Sequence, residues 1–523
     1  MHKGGEAHSR GGMVTSPDLR ASQAGRDVLA AGGNAVEAVV AAGAVLAVTY
    51  PHFCGLGGDA VWLLADGEGR RHCLLGIGQA ASELPDYPDG IPPRGPLSAI
   101  TSACLVDSWD TALAFSRNMW GGADTLADLL EPAVRLAEDG FPLTASQAWW
   151  RDYRAMDVGR WPGFMPLFDA AREGVPFRQP QLASTLRRLQ RNGARDFYEG
   201  ALAADIARGL TAAGAPLRAA DLAETRTRHA EPLSLDYRGT TLLAPPPPTQ
   251  GVTTLAIMGI LSRLDLGALA AGGPDHLHLQ VEAVKRAFLD RHGIADPDAV
   301  AQHPGEWLSA ARLDAHAASI DTGRAMAWPH RFRSGDTVFL AACDANGRCA
   351  SLLQSLYFDW GSGVVAGDTG ILWQNRGAAF STDAGHPNCL RPGKRPFYTL
   401  NPGIGLKGGR PSMLYGTQGA DGQPQTLSLV LSNMLDFGLS PAEALAAPRF
   451  LLGRTFSDTR DSLKLEEPAG EATIDQLSRR GHDVAAIPPF SPLAGQAGVI
   501  AIDASGAMHG AHDPRSDGAA IGV

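Results

Sequence analysis

Apolar and polar positions divide the chain into a helix-rich first part and a strand-rich last part. Residues 22–31 and 35–48 read as two helices broken at Gly32-Gly33-Asn34, residue types suited to a left-handed helix stop followed by a helix start. The second is apolar nearly all round, which predicts burial within helical layers. Residues 105–116, 125–138, 182–192, 201–213 and 276–291 carry the apolar spacing of further helices, the last with Glu282, Lys285 and Asp290 on it. Residues 61–64 look like a strand. Residues 338–343 form an uncharged apolar run, followed by Asp344-Ala345-Asn346-Gly347 and a second run over 349–358. Asn-Gly predicts a type I′ hairpin turn, because both residues tolerate positive φ. Thr337 therefore heads a buried hairpin. Residues 316–336 before it are polar, irregular and rich in Arg and His, which suits a linker open to proteolysis.

Composition narrows the partners. Hydrophobic residues make up 44% and charged residues 19% of 523, enough for a substantial core in one large composite fold or several domains. A net charge of −10 argues against nucleic acid or an anionic membrane as partner. Cys54, Cys73, Cys104, Cys343, Cys349 and Cys389 are scattered without a Cys-x-x-Cys pair, so buried thiols are expected rather than disulfides or zinc. Residues 1–13 lack the apolar core of a signal peptide, and the apolar stretch 38–48 falls short of the roughly 20 residues of a membrane span. A cytoplasmic location is expected.

The chemistry-bearing residues are few. A threonine hydroxyl is a nucleophile that needs a base, and no His lies near Thr337 in sequence. One solution makes Thr337 the first residue of a chain, so that its own α-amine is the base; the competing reading is an ordinary strand threonine. Gly55-x-Gly57-x-x-Ala60 matches a dinucleotide fingerprint formally, but a helix precedes it and a strand follows, the reverse of what that fingerprint needs. His276 and His278 would point about 200° apart on a helix, which favours a solvated or structural role over metal binding. Pro245 to Pro248 with Thr249-Gln250-Gly251 is a rigid loop. No phosphate-binding loop, serine elbow, zinc-protease motif or repeat appears, so neither cofactor nor metal is expected.

Gly335-Asp336-Thr337, Gly361-Ser362-Gly363-Val364-Val365, Gln374-Asn375-Arg376-Gly377, Pro392-Gly393-Lys394-Arg395-Pro396, Gly419-Ala420-Asp421-Gly422-Gln423-Pro424-Gln425 and Asp513-Pro514-Arg515-Ser516-Asp517-Gly518-Ala519 follow in that order. This series resembles the small-subunit signature of the γ-glutamyltranspeptidase family of N-terminal-nucleophile hydrolases. The resemblance implies an α+β fold, a four-layer αββα sandwich. It also implies self-cleavage at Asp336–Thr337 into a large subunit, 1–336, and a small subunit, 337–523, that begins with the nucleophile. Carried over position by position, Ser355 supports the nucleophile's amine. Tyr398 and Thr399 take the places of two serines near the oxyanion and the substrate carboxylate. Gly419 and Ala420 supply the oxyanion amides. Arg376, Tyr357, Asn375 and Asp421 fall among the substrate-binding positions. The proline loop would then pack near the cleft; a plain connection is the other reading.

The departures bear on substrate. Where the family has an acid for the substrate α-amine this chain has Ala379, and Gly76 to Ala81, where an Arg for the α-carboxylate is expected, contains none. A γ-glutamyl group would lose both charged partners. Arg376 instead adds a cation suited to a carboxylate, unless it serves a structural ion pair. Together with Trp360-Gly361-Ser362-Gly363 and Lys394-Arg395-Pro396-Phe397-Tyr398, the pattern is most similar to the oxamate amidohydrolase branch, with Tyr398 where that branch has a His. A small carboxylate-bearing amide, cleaved to release ammonia, is the expected substrate. The expected assembly is the two subunits of one precursor, with a dimer of such heterodimers as a further option. A glutathione hydrolase or transpeptidase, a cephalosporin-type acylase and an uncleaved binding protein are the alternatives.

Overall fold

In the strand Asp59–Ala65 every side chain is buried, and alternate residues enter different cores: Ala60, Trp62 and Leu64 face one, Val61, Leu63 and Ala65 the other. A central strand covered on both faces needs such an unbroken apolar run. The structure is a computed structural model and describes residues 5–156, 161, 163, 164, 174–328, 336–453 and 461–523. Two seven-stranded antiparallel sheets carry the fold. One runs from edge to edge Ala519–Gly522, Gly12–Ser16, Asp336–Asp344, Cys349–Tyr357, Asp59–Ala65, Arg71–Gly76 and Arg228–Ala230. The other runs Ala7–Ser9, Met508–His512, Ala497–Ile502, Arg410–Thr417, Gly403–Lys407, Thr240–Ala244 and Leu233–Tyr237. Phe339, Ala341, Leu353, Ile404, Leu414 and Ile500 fill the space between the sheets. Leu19–Ala30 and Ala35–Thr49 cover the first sheet, with Leu126–Asp139 packed on the latter, and Gly251–Leu261 and Gln423–Leu435 cover the second, with Pro274–Asp290 packed on both. The result is the expected four-layer αββα sandwich.

Local chemistry explains where elements begin and end. The first helix starts at Leu19, earlier than its apolar spacing suggests, because the Asp18 carboxylate accepts from the Arg20 N–H at 2.8 Å. Gly32 then turns the chain at φ 94°, and Asn34 and Glu37 close a capping box on Ala35–Thr49, all of whose residues are buried. The hairpin after Thr337 differs from the expected two-residue turn. Only Gly347 has positive φ (72°), the Gly347 N–H reaches the Asp344 carbonyl, and Asp344 Oδ1 accepts from the Asn346 and Arg348 N–H groups. A longer loop held by an aspartate has replaced the type I′ turn. Pro274–Asp290 is buried from His276 to Phe288, so His276 and His278 are structural rather than solvated. The segment expected to be irregular from 316 begins inside the helix Ala310–Ala318, and its residues 329–335 lie outside the described set. All six cysteines are buried and free.

Two glycines set the spacing of the sheets beside the hairpin head. Gly416 and Gly498 face each other in register, and a Cβ on Gly416 would lie 2.1 Å from Phe339 Cδ2. The Phe339 ring occupies the slot that they leave, two residues along the strand from Thr337.

Candidate active site

Thr337 sits where the pairing of Asp336–Asp344 with Cys349–Tyr357 shifts register, between Asp336 and Val338. This irregularity separates it from the ladder, and the residue is wholly buried. Thr337 Oγ1 lies 3.3 Å from Ser355 Oγ and 3.5 Å from Gln423 Nε2. Ser355 Oγ also accepts from the Tyr357 N–H at 2.8 Å. Tyr357 stands at φ 81°, a conformation unfavourable for a bulky residue, and ends its strand opposite Asp336. Gly335, which precedes this pair in the motif, lies outside the described residues.

The strained tyrosine leads to Arg376. The Arg376 guanidinium lies over the Tyr357 ring at 3.9 Å and the Tyr398 ring at 4.5 Å from their centroids, fully buried. Its Nη1 points to Thr399 Oγ1 at 3.4 Å, while Nε and Nη2 have no hydrogen-bond acceptor among the described residues. Burial depresses its basicity, opposed by the nearby Tyr398, Tyr357, Asp59 and Asp421. Behind it, the Tyr398 hydroxyl donates to Asp59 Oδ2 at 2.7 Å. The Gly78 and Cys104 N–H groups both reach Asp59 Oδ1 at 3.0 Å. Burial pushes the Asp59 carboxyl up to about 6 despite these donors, and Asp59 pairs in register with Ser355.

The Gly419–Ala420 turn follows the strand Arg410–Thr417. Both residues have positive φ, 118° and 42°, and their N–H groups find no acceptor among the described residues. The Gln250 side chain donates to the Ala420 carbonyl at 2.7 Å and to the Thr399 carbonyl at 2.8 Å. The proline loop is therefore bound to the site and is more than a connection.

Thr337, Ser355, Tyr357, Arg376, Tyr398 and Thr399 thus form one connected cluster, with Gly419 and Ala420 joined to it through Gln250. Asn375 is turned to scaffold bonds, accepting from the Phe358 N–H and donating to the Pro93 carbonyl. Asp421 is held in an ion pair by Arg291. Sequence reasoning missed Asp59, Gln250 and Gln423. Each lies inside a glycine- or proline-rich stretch that drew attention to its backbone and away from its side chain.

Two antiparallel sheets between helical layers, with a buried threonine heading a central strand, define the N-terminal-nucleophile class of amide hydrolases. The gamma-glutamyltranspeptidase family model matches residues 21–523. The chain is 44% identical to the oxamate amidohydrolase proenzyme of Klebsiella pneumoniae subsp. pneumoniae over 98% of each chain. It is 40% identical to a glutathione hydrolase-like proenzyme of Bacillus subtilis over 98% of each. The solved structure of a cephalosporin acylase from Bacillus halodurans superimposes with a TM-score of 0.91 at 32% identity, covering 99% of this chain and 97% of that one. The chain belongs to the γ-glutamyltranspeptidase family. No helix among the described residues is long and apolar enough to cross a membrane.

Proposed function

We propose that the chain cuts itself between Asp336 and Thr337 and that the mature enzyme hydrolyses a small amide bearing a carboxylate, oxamate being the leading candidate, with release of ammonia. In the first stage Thr337 Oγ1 attacks the Asp336 carbonyl carbon, and the peptide nitrogen leaves as the new α-amine. Water then hydrolyses the ester, giving a large subunit, 1–336, and a small one, 337–523. The freed amine, with an ordinary pKa of about 7.7–8.0, is partly neutral near pH 7 and takes the hydroxyl proton in the second stage. Ser355 steadies that amine. The alkoxide attacks the substrate carbonyl, the Gly419 and Ala420 N–H groups hold the oxyanion, and the amine returns its proton to the departing ammonia. Water resolves the acyl-threonine and frees a dicarboxylate.

The observation that carries the substrate reading is Arg376: a buried guanidinium whose Nε and Nη2 find no partner among the described residues and whose Nη1 has one long contact, to Thr399. A planar carboxylate matches that pair of donors. Tyr398, anchored on Asp59, and Tyr357 hold the cation in place from either side. Ala379 supplies nothing for an α-amine, which argues against glutathione. The test is ammonia release from oxamate, acetamide and glutamine, with glutathione hydrolysis alongside. Oxamate should be turned over at least tenfold faster than the others, and glutathione turnover at an equal rate sinks the assignment.

A further inference from the structure

Far from that site, the edge strand Ala7–Ser9 pairs with Met508–His512, with His8 directly opposite His509. The two imidazoles meet, Nδ1 to Nδ1, at 2.9 Å. Glu6 joins them. Its Oε1 lies 3.4 Å from His509 Nδ1 and 3.9 Å from His8 Nε2, and its Oε2 accepts from the Ala442 N–H at 3.4 Å.

We propose that Glu6, His8 and His509 bind a divalent transition-metal cation of the zinc type on the protein surface. Two imidazoles and a carboxylate are zinc donors and a poor set for calcium or magnesium, which take oxygen ligands. Tetrahedral bonds of about 2.0–2.1 Å place donor atoms roughly 3.4 Å apart. The Glu6 Oε1–His509 Nδ1 separation already has that value, and one donor atom from each of the three residues lies within 4.8 Å of the others, so small side-chain rotations admit the ion. The side chains of His8 and His509 are 63% and 38% exposed, so both rings are open to solvent, which supplies the fourth ligand. The Ala442 amide pre-orients the carboxylate, as outer partners of metal ligands do.

A second cluster of the same residue types, His278, Glu282 and His482, is buried and carries no such site. Lys285 Nζ donates to Glu282 at 2.8 Å and reaches His482 at 3.4 Å, so an ammonium already holds its centre. Among the described residues no ion pair brings a Lys or Arg to the surface cluster.

Bound metal would staple a three-residue edge strand to its neighbour. If the chain is cut before Thr337, as proposed above, it would also tie the large subunit to the small one. The test is calorimetric titration of untagged protein with zinc chloride in a His2→Ala background, on matured enzyme and on the uncut Thr337→Ala chain. Both should bind one equivalent with a micromolar Kd and melt at a higher temperature with zinc. His8→Gln and His509→Gln should each weaken binding at least tenfold, and Glu6→Gln measurably. Absence of saturable binding, or binding that these substitutions leave unchanged, overturns the site. Equal binding to an enzyme that proves never to be cut removes only the inter-subunit role, so the two failures are separable.

Discussion

Replacing Arg376 by Met separates a substrate-binding cation from a structural one, because the two roles predict opposite effects on stability. The substitution removes a contact with Thr399 at 3.4 Å and the stacking on Tyr357 and Tyr398. The long hydrogen bond contributes at most about 1 kcal/mol and each ring contact about 1–2. Against this, Met removes two buried nitrogens, Nε and Nη2, that lack an acceptor, at about 1–3 kcal/mol each. The terms nearly cancel, so unfolding free energy in urea should stay within about 2 kcal/mol of wild type. Activity should collapse. Removing one partner of a buried, hydrogen-bonded charge pair costs about 2–5 kcal/mol, which lowers kcat/KM for oxamate roughly 30- to several-thousand-fold. Turnover of a neutral amide should be spared. Stability lower by more than about 3 kcal/mol together with retained oxamate turnover would refute the reasoning, since Arg376 would then be a fold residue.

Thr337→Ala should run on a denaturing gel as one band near 54.8 kDa where wild type gives two; two bands from the variant would exclude this residue as the cleaving nucleophile. Gly416→Ala forces a methyl to within 2.1 Å of Phe339 Cδ2. Overpacking of this kind costs about 1–3 kcal/mol, and, because the ring is two residues from Thr337, uncut precursor should accumulate in a time course of maturation. Asp59 gives a pH signature. Its folded pKa of about 6 lies above the ordinary 3.8, so its contribution to stability is full below about pH 4 and is lost as pH rises through 6. Relative to Asp59→Asn, wild type should therefore lose about 3 kcal/mol between pH 4 and 7 in denaturant titrations; a constant difference would show that the carboxyl is not held protonated.

The amphipathic elements were legible from the chain. Residues 182–192 and 201–213 found their helices within two residues, because one face of each meets water and leaves a period to read. Gly251–Leu261 and Gln423–Leu435 escaped notice. Every residue of the first is buried, and the second is buried from Gln423 to Asn433, so neither shows an apolar stripe. The site divides in the same way. Ser355, Arg376 and Tyr398 could be placed through ordered motifs. Asp59 meets Tyr398 across 339 residues of chain and Gln250 meets Thr399 across 149, and no local pattern encodes a contact that only the folded sheets create.

The other buried arginines show why Arg376 bears the argument. Arg286 pairs with Glu282, Arg395 with Asp296, Arg449 with Asp513, and Arg515 with both Glu466 and Asp513. In each case the fold that removes the guanidinium from water also brings it a carboxylate. Removing such a carboxylate costs about 3–5 kcal/mol, so partners of this kind are fixed by stability alone. Arg376 is as deeply buried as any of them, yet the described residues bring it two aromatic faces and one long bond to Thr399, while the nearby carboxylates are engaged elsewhere, Asp59 by Tyr398 and Asp421 by Arg291. Aromatic faces hold a cation in position without neutralising it. An anion that arrives with the substrate therefore meets a desolvated cation that no carboxylate touches directly. The same anion bound to a chain with a carboxylate beside Arg376 would gain almost nothing. Thr399→Asp puts an acid against Nη1 and supplies that carboxylate. The Thr399→Asp chain should raise KM for oxamate at least a hundredfold in steady-state ammonia assays, and an unchanged KM would show that the carboxylate binds elsewhere.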